Sequence, residues 1–253
     1  MYREHAISAA LRSVAVCTWQ HESAAATCSR VVPDACVDLV WNGTGVSVAG
    51  PDTGPVVVAL RAGAQLVGLR FVPGAAGALL GAPARALRDA RVSLRELWGD
   101  SACVLEERLH AAADVHDACE ILEAAVSARV QASAPLDPLM VAVARALRPS
   151  LAAPVDHLAM NEALGQVPSV GQLAAALGVG ERQLLRRCDA AFGYGPKLLA
   201  RVLRFQAFVN GLQTHPQLGL AELALALGYA DQAHLTHDTM ELAGQTPGQL
   251  QRS

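Results

Sequence analysis

An internal repeat in the last third of the chain restricts the fold more than any other sequence feature. Apolar residues recur at helical spacing, a glycine turn interrupts them, and a second helical pattern begins directly afterwards. The same order returns about 50 residues later, and one unbroken helical pattern joins the two copies. The sequence therefore predicts two helix-turn-helix units on a shared linker helix. The segments are residues 170–178 and 220–228 for the first helices, 181–191 and 231–243 for the second helices, and 197–214 for the linker.

The second helix of the first unit has a basic outer face. Leu184 lies on its inner face, whereas Arg182, Leu185 and Arg186 lie on the outer face. Two arginines four residues apart, directly after a glycine turn, suit a helix in the major groove, where guanidinium groups reach guanine edges or phosphates. Residues 181–191 are therefore predicted to be a DNA recognition helix. The alternative is an ordinary helical hairpin with a solvated face.

The N-terminal part of the chain follows a different pattern. Short β-rich runs separated by glycine and proline predict a small β-sandwich or partial barrel, and two short helical segments make the domain α+β. The predicted strands are residues 13–19, 35–41, 46–49, 56–60 and 65–72, and the predicted helices are 75–80 and 94–97.

The period becomes helical at Gly99 and remains so to the C-terminus, with Asp100 or Ser101 as the expected cap of the first helix. We therefore divide the chain into three parts. They are an α+β domain over 1–98 that is expected to be a sensor, a helical connector and candidate dimerisation surface over 99–164, and an all-α double helix-turn-helix domain over 165–253.

Composition and charge argue against a non-specific nucleic-acid-binding protein, a membrane protein and an enzyme. A formal net charge of -3 argues against a chain that coats nucleic acid without specificity, so any DNA contact must come from a local basic face. The N-terminus shows no leader peptide and no run of residues is long and apolar enough for a membrane span, which predicts a cytoplasmic protein. Catalytic, metal and cofactor motifs are not found, so we expect no enzymatic activity.

Four C-terminal motifs resemble the AraC/XylS family of bacterial transcription regulators. They are LAAALGVGERQLLRRCDAAFGYGPK at 173–197, RVLRFQ at 201–206, LAELALALGYADQAHLTHDTMELAG at 220–244 and TPGQL at 246–250. The N-terminal part is similar to a poorly characterised sensor-like domain found in some members of that family. The segments that carry this second resemblance are VVPDACVDLVW at 31–41, AGPDT at 49–53, GLRFVPGAAGALLG at 68–81 and LRDARVSLRELWG at 87–99.

The resemblance implies which positions face DNA. In the first unit it implies that Arg182, Leu185 and Arg186 read bases and that Arg187 and Lys197 lie near the DNA backbone. Leucine at 185 departs from the polar or basic residue usual in the family, so it either packs on a thymine methyl group or makes one fewer specific contact. Cysteine at 188 replaces the commoner core phenylalanine.

The second unit departs further from the family pattern. Its outward positions are Ala233, Thr236 and His237, although the family usually has an arginine at 237. Residues 206–250 contain no lysine or arginine and four acidic residues, whereas residues 169–204 contain six basic and two acidic residues. Since phosphate neutralisation supplies much of the affinity for DNA, we expect the first unit to dominate. Neutral donors of the second unit, including Gln232, Thr236 and His237, are expected to lie near the duplex.

A small-molecule effector, still unknown, would have to bind the N-terminal domain. Trp19, Trp41 and Phe71 are candidate pocket walls, and Arg70 is a candidate clamp for an anionic effector. An alternative for Arg70 is a structural ion pair with Asp38 across the sheet, and aromatic residues are more often plain core.

The expected function is sequence-specific, effector-responsive binding of double-stranded promoter or operator DNA, as activator or repressor, with RNA polymerase as a further candidate partner and a homodimer as a candidate assembly. One alternative is a protein-interaction or antagonist module that kept the fold but binds DNA weakly. Another is a thiol or metal sensor that acts through the scattered N-terminal cysteines, although their spacing fits no zinc pattern. A related DNA-repair methyl acceptor would need paired cysteines that the sequence lacks.

Overall fold

The computed structural model describes residues 1–149 and 168–252. The N-terminal part forms a six-stranded antiparallel sheet with the order β1-β2-β7-β4-β5-β8 and a separate two-stranded sheet of β3 and β6. The strands are β1 Tyr2–Ala6, β2 Ala15–Glu22, β3 Thr27–Val31, β4 Asp38–Trp41, β5 Val46–Ala49, β6 Val56–Leu60, β7 Gln65–Phe71 and β8 Arg91–Ser93.

Helices cover one face of the large sheet. Leu39, Leu69 and Phe71 point from the sheet into a core that also contains Leu122 and Val126 of α4. This arrangement follows from strand alternation, because every second residue of β4 and β7 faces the same side. The helices of this part are α1 Ala76–Leu80, α2 Leu94–Trp98, α3 Asp100–His110, α4 Val115–Ala132 and α5 Pro138–Ala146.

The expected cap of α3 was wrong. The helix begins at Asp100, and the N-cap residue is Gly99, which makes no side-chain hydrogen bond. The backbone of Gly99 has a φ of 55°, a conformation that other residues adopt rarely, and this lets α3 follow α2 without a longer loop. Asp100 instead supplies a negative charge to the first turn of the helix, where the helix dipole favours it.

The C-terminal part is entirely helical in the described residues, which confirms the predicted change of fold class. Its helices are α6 Val170–Ala176, α7 Glu181–Phe192, α8 Pro196–Thr214, α9 Leu220–Ala226, α10 Gln232–Ala243 and α11 Pro247–Leu250. Helices α6 and α7 form the first unit, α8 is the linker helix, and α9 and α10 form the second unit.

Three hydrophobic cores organise the described residues. The first joins the sheet to α1 through α4. The second joins α5 to the first unit, α8 and the end of α10, and the third joins the end of α8 to the second unit. The predicted connector is thus divided, because α3 and α4 pack with the sheet while α5 packs with the first unit. The domain boundaries at 98 and 164 stay a prediction, and residues 150–167 of the connector lie outside the described residues.

None of the helices in the described ranges is long and apolar enough to cross a membrane.

Candidate DNA-binding surface

Local signals in the sequence position the recognition helix of the first unit. Ser169 and Gln172 cap α6 reciprocally: the Ser169 hydroxyl accepts from the Gln172 amide at 3.2 Å, and the Gln172 side chain accepts from the Ser169 amide at 2.9 Å. Leu173 of α6 and Leu184 of α7 are both buried in the second core. The shared core packs α7 against α6, as the helix-turn-helix pattern predicts.

The outer face of α7 is open to solvent. Arg182, Leu185 and Arg186 are all exposed, and the Leu185 side chain is apolar yet 42% exposed. Lys197 is exposed at the start of α8. Among the described residues, none of these three cations forms an ion pair. The geometry therefore leaves their charges available to phosphates and base edges.

Arg187 has a different environment from its neighbour Arg186. Its guanidinium donates two hydrogen bonds to Asp137, one of them from Nε at 2.8 Å, and this contact holds the pKa of the Asp137 carboxyl below its usual range. Asp137 is also the N-cap of α5, where it accepts from the Leu139 amide at 3.0 Å. Arg187 thus lies at the contact with α5 and not on the open face.

The N-terminal domain packs against the far end of α7. Arg88 donates to the Gly193 carbonyl oxygen at 3.0 Å and lies 3.8 Å from the Asp189 carboxylate. Phe192 is 1% exposed and approaches Gly74 so closely that a Cβ atom at Gly74 would lie 2.8 Å from its ring. The recognition helix is therefore held on its inner side and at its C-terminal end, while its outer side stays uncovered.

The second unit presents a neutral to acidic outer face. Gln232, Ala233 and His237 are exposed, and Thr236 is half-buried with its hydroxyl donating to the Gln232 carbonyl at 2.8 Å within the helix. His237 lies 3.1 Å from Glu241, which occupies the position one turn further on. In the described part of the second unit, α10 offers no positive charge from lysine or arginine to the DNA backbone.

A buried carboxylate ties α10 to the linker helix. Asp238 is 2% exposed at its side chain and accepts from Arg201 at 2.8 Å and from Arg204 at 3.2 Å. Arg204 also stacks on Tyr229, with 4.6 Å between the guanidinium carbon and the ring centre, and contacts a ring nitrogen of His234 at 3.2 Å. Arg201 and Arg204, which sequence counting assigns to the basic first unit, are consequently neutralised by the second unit.

The network of Asp238, Arg201 and Arg204 was not predicted, although the sequence contains a signal for it. On α10, Asp238 shares one helix face with the buried residues Leu235, Thr239 and Leu242, so its side chain faces inward. An ionised group in a helix core requires a partner of opposite charge. Arg201 and Arg204 lie three residues apart on one face of α8 and were the available partners.

The four candidate effector residues of the N-terminal domain lie on two faces of the sheet. Trp41 and Phe71 belong to the core beneath the helices, whereas Trp19 and Arg70 lie on the opposite face. Arg70 pairs with Asp38, at 3.1 Å, as the alternative interpretation predicted. It also lies 3.4 Å from Glu4 and 3.3 Å from Asp34, so three carboxylates already surround its guanidinium.

The described cysteines are all free thiols. Burial and neighbouring carboxylates raise the pKa of Cys17 to about 12 and raise the pKa of Cys36 as well. A thiol that stays protonated at neutral pH is a weak nucleophile and a weak metal ligand. No group of three metal-ligating side chains is found among residues 1–149 and 168–252.

Comparison with known proteins finds two separate matches, one near each end of the chain. Residues 173–253 match the family described as a helix-turn-helix domain, and residues 3–93 match a family described as a domain of unknown function. A search of curated proteins finds no significant match.

Among solved structures the chain is similar to ToxT of Vibrio cholerae O395, with 9% identity, a TM-score of 0.46 and coverage of 95% of this chain and 98% of that chain. An apo variant of ToxT from strain SCE256 has 11% identity, a TM-score of 0.47 and coverage of 95% and 97%. These TM-scores are low, and no conclusion about function rests on them.

The repeated fold and its exposed basic helix define a class of protein, the DNA-binding transcription regulators that carry two helix-turn-helix units on one linker helix. Within that class, the match of residues 173–253 is to an AraC-type helix-turn-helix domain, and the resemblance found in the C-terminal motifs is confirmed.

Proposed function

We propose that the protein regulates transcription by binding a specific operator mainly through α7 of the first unit, and that an effector bound by the N-terminal part changes this binding. The observation that carries the proposal is the difference between the exposed cations of α7 and the start of α8, which are unpaired within the described ranges, and those further along α8, which the second unit pairs. Arg182, Arg186 and Lys197 are exposed without an ion pair among the described residues, whereas Arg201 and Arg204 are held by Asp238.

Each exposed group has a definite chemical role in this proposal. Arg182 and Arg186 lie four residues apart on the outer face of α7 and would donate to guanine edges or phosphates. Leu185 lies between them and would contact a thymine methyl group. Lys197 would bind a phosphate and so add affinity without sequence preference. Gln232 and His237 would supply weaker, neutral contacts from the second unit.

Replacement of Arg186 and of His237 by alanine tests the proposed asymmetry. The Arg186→Ala variant is expected to lose about 1–3 kcal/mol of operator-binding free energy, because bidentate contacts to guanine contribute that much. The His237→Ala variant should lose about 0.5–1 kcal/mol, the range for a neutral hydrogen bond. Affinity for a fragment of the promoter upstream of the protein's own coding sequence is measured by mobility shift at fixed salt. Equal losses in the two variants would contradict the asymmetry.

Two further variants complete the test. Arg61→Ala removes an exposed arginine from the turn between β6 and β7, distant from α7 in sequence, and should leave operator affinity unchanged. Lys197→Ala should weaken binding to operator and unrelated DNA alike and reduce the salt slope by about one.

The acidic face of the second unit favours one other candidate function, a protein-interaction or antagonist module. Met240 is 48% exposed beside Glu241 on α10, a combination that suits a protein partner with a basic surface. The absence of specific operator retention at low salt, with a folded protein, would favour this function over the first. RNA polymerase and a second copy of the chain are further candidate partners.

A further inference from the structure

We propose that a cleft between the end of β7 and α5 binds a small apolar anion, and that Asp137 transmits its occupancy to the recognition helix α7. The cleft has a volume of about 230 Å³ and is bordered on one side by Val72 and Pro73 and on the other by Met140 and Ala144. This inference rests on the proposed function, because it supplies a place and a chemical class for the effector.

Shape and lining define the ligand's body. At about 30 Å³ for each water-sized group, the cleft has room for roughly eight such groups. Its walls are mainly aliphatic, with Leu136 and Val141 completing the apolar lining. Water in such a space makes few hydrogen bonds, so a compact apolar group displaces it favourably.

Charge defines the ligand's head group. Arg145 and Arg148 border the cleft at the C-terminal end of α5, and both are exposed. In the part of the chain that the structure describes, neither pairs with a carboxylate. The one acidic group of the lining, Asp137, is already neutralised by Arg187. A monocarboxylate with a compact apolar body therefore fits the apolar walls of the cleft and the positive charge of its two arginines.

The same elements connect the cleft to α7. Asp137 caps α5 through the Leu139 amide and accepts from Arg187, so one carboxylate joins the cleft wall to the recognition helix. On the other wall, Gly74 borders the cleft and approaches Phe192 at the end of α7. A ligand that draws the two walls together would hold α7 in the orientation that leaves Arg182 and Arg186 uncovered. Occupancy is therefore expected to tighten operator binding, and operator DNA to tighten ligand binding by the same factor.

Binding of probe acids to the full-length protein without DNA tests the site itself. We expect phenylacetate or hexanoate to bind saturably with a Kd below about 1 mM, measured by calorimetry. The neutral amide phenylacetamide should bind at least about tenfold more weakly, because the charged hydrogen bonds to the arginines are lost. No saturation by either acid, or equal affinity for acid and amide, would overturn the site.

Matched variants locate the binding. Ala144→Leu fills the cleft and should abolish binding, whereas Ala146→Leu, on the same helix at an exposed position outside the lining, should not. Arg145→Gln with Arg148→Gln should weaken phenylacetate by about tenfold or more, whereas Arg61→Gln should leave it unchanged. Thermal unfolding of each variant shows whether the fold is kept. Equal binding by Ala144→Leu and Ala146→Leu would place the probe elsewhere.

Coupling to DNA is measured separately. Phenylacetate should tighten operator binding of the natural chain by about fivefold or more. Asp137→Asn keeps a good cap on α5 but removes the charge that holds Arg187, so it should bind phenylacetate without this gain. Asp114→Asn, the same replacement at the cap of α4, should keep the gain. An unchanged gain in Asp137→Asn would overturn the coupling.

Operator binding without any probe effect would leave the proposed function intact, and probe binding without operator binding would refute the proposed function alone.

Discussion

In the two helix-turn-helix units, the recognition helices are held in place by ion pairs in which the helix contributes opposite charges. Leu184 in the first unit corresponds to Leu235 in the second, and three residues further along each recognition helix lies a charged residue, Arg187 in α7 and Asp238 in α10. Arg187 pairs with Asp137 of α5, outside the unit. Asp238 pairs with Arg201 and Arg204 of the linker helix, inside the C-terminal domain.

The two recognition helices are therefore held in their orientations by different parts of the chain. The main anchor of the second unit lies within the C-terminal domain, because α10 is fixed to the linker helix by a carboxylate that is 2% exposed, and Arg30 of β3 adds one hydrogen bond of 2.8 Å to the Ala243 carbonyl oxygen. The first unit depends on α5 and on the N-terminal domain, and its ion pair is about one-third exposed, 32% at Arg187 and 33% at Asp137. The helix with the available cations is thus the one whose ion pair is the more exposed and reaches outside the two units and their linker.

The largest expected effect comes from removing the anchor of the second unit. Asp238→Ala leaves two guanidinium groups without their shared carboxylate, and that of Arg204 is only 10% exposed at its side chain. Loss of one partner from a buried ion pair costs about 3–5 kcal/mol of unfolding free energy. Urea unfolding followed by far-ultraviolet circular dichroism measures the loss.

A control variant removes an exposed carboxylate that pairs with the same arginine, so it shows how much of the loss at Asp238 is due to burial of the ion pair. Glu241 also pairs with Arg201, but its side chain is 49% exposed, so Glu241→Ala should cost less than about 1 kcal/mol. If the two variants lose equal stability, the second unit is not anchored by Asp238, and the contrast with the first unit fails.

An intermediate effect is expected at the glycines that end the two recognition helices. Gly193 follows α7 with φ 81° and Gly244 follows α10 with φ 63°, and alanine in this left-handed conformation costs about 1–2 kcal/mol at either place. A Cβ atom at Gly193 would also lie 2.6 Å from the Pro51 ring and 3.2 Å from the Ala84 carbonyl oxygen. Overpacking there adds about 1–3 kcal/mol.

The corresponding contact at Gly244 can relax. The nearest atom to an added Cβ is the end of the Arg30 side chain at 2.7 Å, which is able to move away. Gly193→Ala should therefore lose more unfolding free energy in urea than Gly244→Ala. Equal losses would show that the N-terminal domain does not restrain the first unit.

The two helix-turn-helix units could be predicted from the sequence because the residues that define each helix lie close together in the chain. The apolar spacing, the glycine turn and the inward position of Leu184 predict α6 and α7 without reference to distant residues, and the Ser169 cap found in the structure is equally local. Strands β1, β3 and β8 were not predicted, because β1 and β3 contain no buried residue and β8 has only three residues, so none of them shows apolar alternation.

Pairing of charges over long separations could not be predicted in the same way. Fifty positions separate Asp137 from Arg187, and only the packing of α5 against α7 brings them together. The family resemblance therefore placed Arg187 near the DNA backbone, whereas in the structure it lies against α5. Whether it also contacts DNA stays a prediction. The candidate effector residues likewise could not be grouped, since adjacent positions such as Arg70 and Phe71 face opposite sides of a strand.

The smallest expected effect is the pH dependence of the anchor of the first unit. The pKa of Asp137 is lowered in the folded chain, mainly by its hydrogen bonds from Arg187. Its stabilising contribution is therefore present above the ordinary carboxyl value of about 3.9 and is lost as the pH falls below that value. Because both partners are partly exposed, the natural chain should exceed Asp137→Asn in unfolding free energy by no more than about 1 kcal/mol at pH 7. Urea unfolding at decreasing pH should show this gap closing. In an Arg187→Gln background the same substitution should produce almost no gap at any pH, and a gap that persists there would mean that Asp137 stabilises α5 without the recognition helix.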